Sequence, residues 1–260
     1  MALIFIFLYA PILIMIAFSF NDSKNRAVWH GFTTHWYTDM FNDEVIMKAL
    51  GMSLSVAVTS ALFATAIGTA AAIGINNMKK RPQGIVMAVN NIPLVNPEIV
   101  TGISMMLLFV VVFRATGLLQ PGYTTLLIAH ITFCIPYVVL SVLPKLRQMN
   151  PHILEAAQDL GCPPLKAYLK VVMPEIVPGI ITGAIMSFTL SLDDFVISYF
   201  TSGSTAQTLP VVIYAMTRKR VSPKINALSS IMFIVILLLL ILINVLQIKD
   251  QKKKREIMQK

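Results

Sequence analysis

Long apolar runs recur six times along this chain, over residues 2–20, 50–75, 85–113, 123–143, 176–200 and 226–248. A helix of about 20 residues, rising ~1.5 Å per residue, crosses the hydrocarbon layer of a bilayer. Lipid offers the backbone no hydrogen-bond partner, so runs of this kind fold as helices whose polar groups are satisfied internally. With 56 % of its 260 residues hydrophobic and 13 % charged, the chain reads as an all-α integral membrane protein with six transmembrane helices. A net charge of +9 in a soluble domain would point to nucleic acid. Here much of the excess lies in short segments beside the apolar runs, the positive-inside pattern, and no nucleic-acid partner is expected.

Six crossings put both termini on one side. On the side of the tail, residues 249–260, Lys and Arg number three after the second run, four in the loop 144–175 and six in the tail. The opposite side has three, one and four, so the N- and C-termini and the 144–175 loop are assigned to the cytoplasm. The cluster Arg218, Lys219, Arg220 and Lys224 then falls outside, with no electrostatic account beyond contact with a partner.

The first run has no basic start and no small-x-small cleavage site, so it reads as a span rather than a signal peptide. After it come Trp29, Phe32, Trp36, Tyr37 and Phe41, suited to an interfacial segment at the headgroups; a substrate-stacking cage is the sharper alternative. The second run is rich in Ala, Gly, Ser and Thr, which lets helices approach closely in lipid, and is read as interior to a bundle. The third is interrupted by Asn90, Asn91, Pro93, Asn96, Pro97 and Glu98, a broken helix whose freed backbone groups need neighbours or water. Pro136 predicts a kink in the fourth. Cys134 and Cys162 have neither metal-ligand nor redox spacing.

Between the fourth and fifth runs lies a polar stretch, 150–174. Asn150 can cap a helix, Pro151 fits its first position, and Gly161 with Pro163 and Pro164 supplies a stop. Ile153, Leu154, Ala157 and Leu160 are expected on one face, while Ala156 and Ala157 leave room for another surface to approach. A second short helix is expected over 165–172, ended by Pro174. Two bounded helices between membrane spans suggest a docking site. Glu155-Ala156-Ala157, Gly161 and Pro174 resemble the EAA loop of ABC importer membrane subunits, although the family's Ile-x-Leu-Pro ending is here Val171-Val172-Met173-Pro174. The resemblance implies a type I (MetI-like) permease fold, with Glu155, Ala156, Ala157, Leu160 and Gly161 seated in a cleft of an ATPase subunit.

The sequence contains no Gly-x-x-x-x-Gly-Lys-Ser/Thr, His-Glu-x-x-His or Gly-x-Ser-x-Gly, so the chain is read as a transporter subunit rather than an enzyme. His130, in an apolar run, reads as a hydrogen-bonded core histidine, with a proton relay as the alternative. More informative are Glu98 in the third run and Asp193 and Asp194 in the fifth. A charge near the bilayer centre costs at least ~2.5 kcal/mol on insertion scales. No Lys or Arg lies within these runs to pair with them, apart from Arg114 at the outer end of the third. Their natural partner is therefore a cation that comes and goes. Glu98 is expected near mid-membrane and the aspartates about two thirds of the way across. Acids at two depths suit an elongated molecule with several ammonium groups, and Phe195 and Tyr199 can contact its methylenes or ammonium faces. Two blander readings stay open: Glu98 as a favoured acid in a first helical turn, and the aspartates as polar contacts to a neighbouring helix.

A second resemblance covers nearly the whole chain. Ser191-Leu192-Asp193-Asp194-Phe195, Phe32-Thr33-Thr34-His35-Trp36-Tyr37, Pro97-Glu98-Ile99-Val100-Thr101-Gly102, Thr208-Leu209-Pro210 and Ser222-Pro223-Lys224-Ile225-Asn226 look like the spermidine/putrescine permeases of the PotC type. The resemblance implies a subunit of the bacterial inner membrane that forms half of a pore. It also implies a second permease of the PotB type, an ATPase dimer of the PotA type carrying ATP and Mg, and an extracytoplasmic polyamine-binding protein of the PotD type. This chain itself would hold no cofactor and no metal. Glu98, Asp193 and Asp194 would line the pathway. The family's basic N-terminal flank is missing here, which leaves the translation start open. Rival readings are an importer permease for iron or thiamine and a self-sufficient cation channel or secondary transporter.

Overall fold

The computed structural model describes residues 2–23, 28–150, 152–219 and 223–258. Pro151, Arg220 and Ser222 lie outside the described residues, as do the side chains of Lys219 and the tail. Among the described residues the chain is a succession of helices: α1 (Ala2–Phe18), α2 (His35–Phe41), α3 (Glu44–Asn76), α4 (Lys80–Val95), α5 (Glu98–Thr116) and α6 (Tyr123–Gln148). There follow α7 (Ile153–Asp159), α8 (Pro164–Ala167), a π-helical turn (Tyr168–Val172), α9 (Met173–Asp193), α10 (Val196–Thr201), α11 (Leu209–Lys219) and α12 (Pro223–Met258). Among the described residues, five segments are long and apolar enough to cross a membrane: Glu44–Asn76, Glu98–Thr116, Tyr123–Gln148, Tyr168–Asp193 and Pro223–Val245. α1 adds a shorter apolar helix of 17 residues.

The third apolar run is broken as expected, into two helices that meet at Asn96 and Pro97. Asn96 is extended, with ψ 136°, and closes α4; Pro97 then precedes α5. A residue before proline avoids the α region, and proline brings no amide to continue the ladder. Glu98 therefore opens a 19-residue apolar helix instead of sitting near the middle of a longer one. The fifth run is also shortened, because α9 ends at Asp193.

α3, α6 and α9 pack on one another and form the main core, with Ala64, Ala72, Ala129, Phe133, Val138, Val142 and Ile176 buried among them. Small residues make this contact possible. A Cβ on Gly68 would lie 2.7 Å from Val138 Cβ, and one on Gly179 would lie 2.9 Å from the Ser141 carbonyl oxygen. A second cluster, Met40, Ile46, Ala49, Leu209, Val212 and Leu228, joins α2, the start of α3, α11 and α12. Asp43 caps α3 by accepting the amides of Val45 and Ile46, and meets Lys224 at 3.6 Å. The aromatic segment before α3 folds onto the end of α1. Trp36 Nε1 donates to the Asn21 carbonyl at 2.9 Å, and Phe20 stacks on Phe32 with centroids 5.2 Å apart.

The polar stretch departs from its expected boundaries. α7 begins at Ile153, with His152 rather than Asn150 before it; the Asn150 side chain instead accepts the His152 amide at 3.0 Å. Ile153, Leu154 and Ala157 are partly buried, whereas Leu160, the residue that follows the end of α7, is 90 % exposed. Pro174 ends nothing. It lies in the first turn of α9, where a missing amide is tolerated. Just before it, Met173 donates its amide to Tyr168, five residues back, so the ladder widens into a π turn where proline withholds a donor. The second short helix thus runs directly into the fifth span.

Candidate functional site

The end of α9 is where the bundle becomes polar. Asp194 breaks the helix with extended backbone, ψ 125°. Its carboxylate accepts the amides of Ile197 at 3.3 Å and Ser198 at 2.7 Å, which caps α10. An acid at this position satisfies amides that have no partner within the new helix. His130 of α6 is buried beside it. Its Nδ1 is 2.7 Å from Ser191 Oγ and its Nε2 is 3.0 Å from Ser198 Oγ. Ser60 of α3 donates to Ser191 Oγ at 2.9 Å. One polar cluster therefore ties together α3, α6, α9 and α10, and His130 sits in it with both ring nitrogens occupied.

The two aspartates project differently. Asp194 is buried in this cluster, whereas Asp193, the last residue of α9, is exposed. Glu98 is also exposed, at the start of α5, within electrostatic range of Asp193 and of Tyr137. It lies one turn before Gly102 on the same helix face. Gly102 is where α10 closes on α5: a Cβ there would meet the Phe200 ring at 3.0 Å. That close approach brings the Glu98 end of α5 to the break after α9.

Beside the acids stands a group of rings. Phe195 lies 5.5 Å from Tyr199 and 4.7 Å from Tyr214 by ring centroids, Tyr199 and Tyr214 are 6.1 Å apart, and Tyr199 meets Phe200 edge-on at 5.4 Å. Tyr199 and Tyr214 are both exposed. The arrangement offers carboxylates and aromatic faces together, the chemistry that binds organic ammonium groups. Tyr214 is not among the residues the sequence singles out, since it lies between the fifth and sixth apolar runs. The apolar spacing of Leu209, Val212, Ile213 and Met216 is the helical signal that places Tyr214 on α11. Among the described residues, no three His, Cys, Asp or Glu side chains converge to hold a metal ion.

The expected docking residues form a separate surface at the other end of α9. Glu155 lies in the first turn of α7, exposed, with His152 Nδ1 2.8 Å from its Oε2. Ala156 and Leu160 are exposed as well, while Ala157 is half-buried and Leu154 packs on the main core. Gly161 closes the helix at φ +83°, a left-handed conformation suited to glycine, and Cys162 donates its amide to the Ala157 carbonyl at 3.0 Å.

The family model for binding-protein-dependent transport system inner membrane components matches residues 64–249. The chain is 42 % identical over 229 residues to the putrescine transport system permease protein PotI of Escherichia coli (strain K12), covering 87 % of this chain and 82 % of that protein. It is 38 % identical over 241 residues to the spermidine/putrescine transport system permease protein PotC of the same strain, covering 93 % and 89 %. A crystal structure of a bacterial ABC transporter involved in the import of the acidic polysaccharide alginate matches with a TM-score of 0.73 at 15 % identity, over 96 % of this chain and 92 % of that chain. The inward-facing MetNI methionine ABC transporter matches with a TM-score of 0.59 at 19 % identity, over 82 % and 98 %. At such identities the likeness is one of fold, and the fold is the all-α architecture of an ABC importer permease.

Proposed function

This chain belongs to the family of inner-membrane components of binding-protein-dependent transport systems, and from that premise we propose that it is the permease subunit of an ATP-driven importer of polyamines, forming half of the translocation pore. The observation that carries the proposal is the similarity, along most of the chain, to a putrescine permease and a spermidine/putrescine permease. The chemistry of the site supports it: exposed Asp193 and Glu98 supply anionic partners for ammonium groups, and Phe195 and Tyr199 supply ring faces beside them. Asp194 contributes by holding the break that presents Asp193.

In this reading the chain lies in the inner membrane with both ends and the 144–175 loop in the cytoplasm. It pairs with a PotB-like permease, receives substrate from a PotD-like binding protein, and is driven by a PotA-like ATPase dimer that carries the ATP and Mg. The dimer engages Glu155, Ala156, Ala157, Leu160 and Gly161. The exposure of Leu160 and the small side chain of Ala156 favour a docking surface there, since a leucine left in water gains by burial against a partner.

The test is reconstitution. The complete importer in proteoliposomes, with ATP on the side of the ATPase, should accumulate labelled putrescine or spermidine, and unrelated cations should not compete. Uptake blocked by an iron or thiamine compound but not by polyamines would assign another substrate. Gradient-driven flux through the chain alone would replace the importer with a channel or secondary transporter.

A further inference from the structure

Arg218 lies on the last turn of α11, exposed, four residues after Tyr214 and therefore on the same helix face. Its guanidinium carbon stands 5.7 Å from the centroid of the Tyr214 ring. That ring is the one in contact with Phe195 and Tyr199, two and six residues after Asp193. A protein cation thus rests on the aromatic group that adjoins the exposed carboxylates. The other basic residue of this region with a described side chain, Lys224, is engaged differently, with Asp43 at 3.6 Å.

We propose that Arg218 is a tethered competitor: it occupies the ammonium position on the Tyr214 face when substrate is absent, and a substrate ammonium displaces it. The consequence is selectivity by charge number. A single-charge cation can reach either the carboxylates or the ring, but at the ring it meets a fixed positive charge that it has nothing further to offset. A diamine or triamine holds Asp193 or Glu98 with one ammonium and presses a second, at high local concentration, against the guanidinium. Arg218 therefore sets how many charges a molecule must carry to be accepted. The inference rests on the polyamine reading of the site.

The experiment uses the complete reconstituted importer and measures putrescine uptake and its inhibition by butylamine, which has the same chain length and a single amine. Arg218→Gln is expected to lower the KM for putrescine by about two- to fivefold, the range of an exposed cation–π contact, and to make butylamine a stronger inhibitor. The same substitution in a Tyr214→Leu background should change neither quantity, because the seat is gone; in a Tyr214→Phe background it should act as in the wild type. Equal effects of Arg218→Gln with and without the Tyr214 ring, or unchanged butylamine inhibition, would overturn the proposal. Co-purification of each variant with its partner subunits separates these outcomes from misassembly. If the unmodified importer takes up no polyamine, the functional reading itself fails, and the competitor with it; if it does and Arg218 acts independently of Tyr214, only the competitor fails.

Discussion

Asp194 Oδ2 stands 3.6 Å from His130 Nε2, with both side chains buried where α6 meets the break after α9. The carboxylate also accepts two backbone amides, so the pair is a structural knot whose members are held by more than each other. Its neighbour in sequence, Asp193, is left exposed. The two acids therefore differ in place: Asp194 shapes the break, and Asp193 is the one left accessible to a substrate under the proposed function.

Asp194→Ala should cost stability. It orphans the amides of Ile197 and Ser198 in a buried place, at about 1–3 kcal/mol for an unsatisfied group. Asp194→Asn keeps a side-chain oxygen for the cap and should be milder. Thermal unfolding of the purified complex, followed by size-exclusion recovery after heating, reads the difference. Identical midpoints for the alanine variant and the wild type would remove the cap from the account.

Asp193→Asn and Glu98→Gln should spare assembly and weaken uptake under the proposed function. Loss of a charged hydrogen-bonding partner is worth about 1.5–3 kcal/mol, hence roughly tenfold or more in apparent affinity for the ammonium ligand. Initial rates of polyamine uptake against concentration, normalised to complex in the membrane, measure it. Unchanged kinetics in both variants would show that neither acid meets the substrate.

Glu155→Lys should abolish transport and uncouple ATP hydrolysis while the chain remains in the membrane. Leu160→Asp should weaken attachment of the ATPase, since it replaces an exposed apolar contact by a charge. Pull-down of the ATPase and the ratio of ATP hydrolysed to substrate moved are the readouts. Normal transport in Glu155→Lys would end the assignment of α7 as the docking helix.

Gly68→Ala and Gly179→Ala should loosen the three-helix core, because the added methyl group meets Val138 at 2.7 Å and the Ser141 carbonyl at 2.9 Å. Overpacking of this kind costs about 1–3 kcal/mol. Gly74→Ala is the control: nothing lies within 4 Å of the new atom, and alanine favours the helix by ~1 kcal/mol. Equal thermal midpoints for all three variants would contradict the close approach.

Much of this architecture was legible because lipid leaves so few options. Runs of apolar residues had to be helices, and the small residues of 50–75 had to face other helices; α3 does so, with Ser53, Ala57, Ser60, Ala64 and Gly68 buried. Gly161 was readable as a stop because few other residues take its left-handed backbone. Less legible were residues whose effect depends on their neighbours. Proline reads as a terminator, yet Pro174 is accommodated where the ladder had already widened to a π turn. Asp194 reads as a charge in need of a cation, yet its partners are two amides only three and four residues further on, which become available once the chain bends. Tyr214 was hidden because a short amphipathic helix is less conspicuous than the apolar runs on either side of it.

From Pro164 to Asp193 the chain never leaves helical conformation. At about 1.5 Å per residue this is a strut of roughly 45 Å, one end beside α7 and the other at the exposed aspartate. A strut transmits torque as well as thrust. A twist applied near Pro164 reaches Asp193 only as far as the widened turn at Tyr168–Val172 and the packing of α9 on α3 and α6 let it pass. One residue more or fewer in that turn would set the two ends of the strut about 100° apart in rotation.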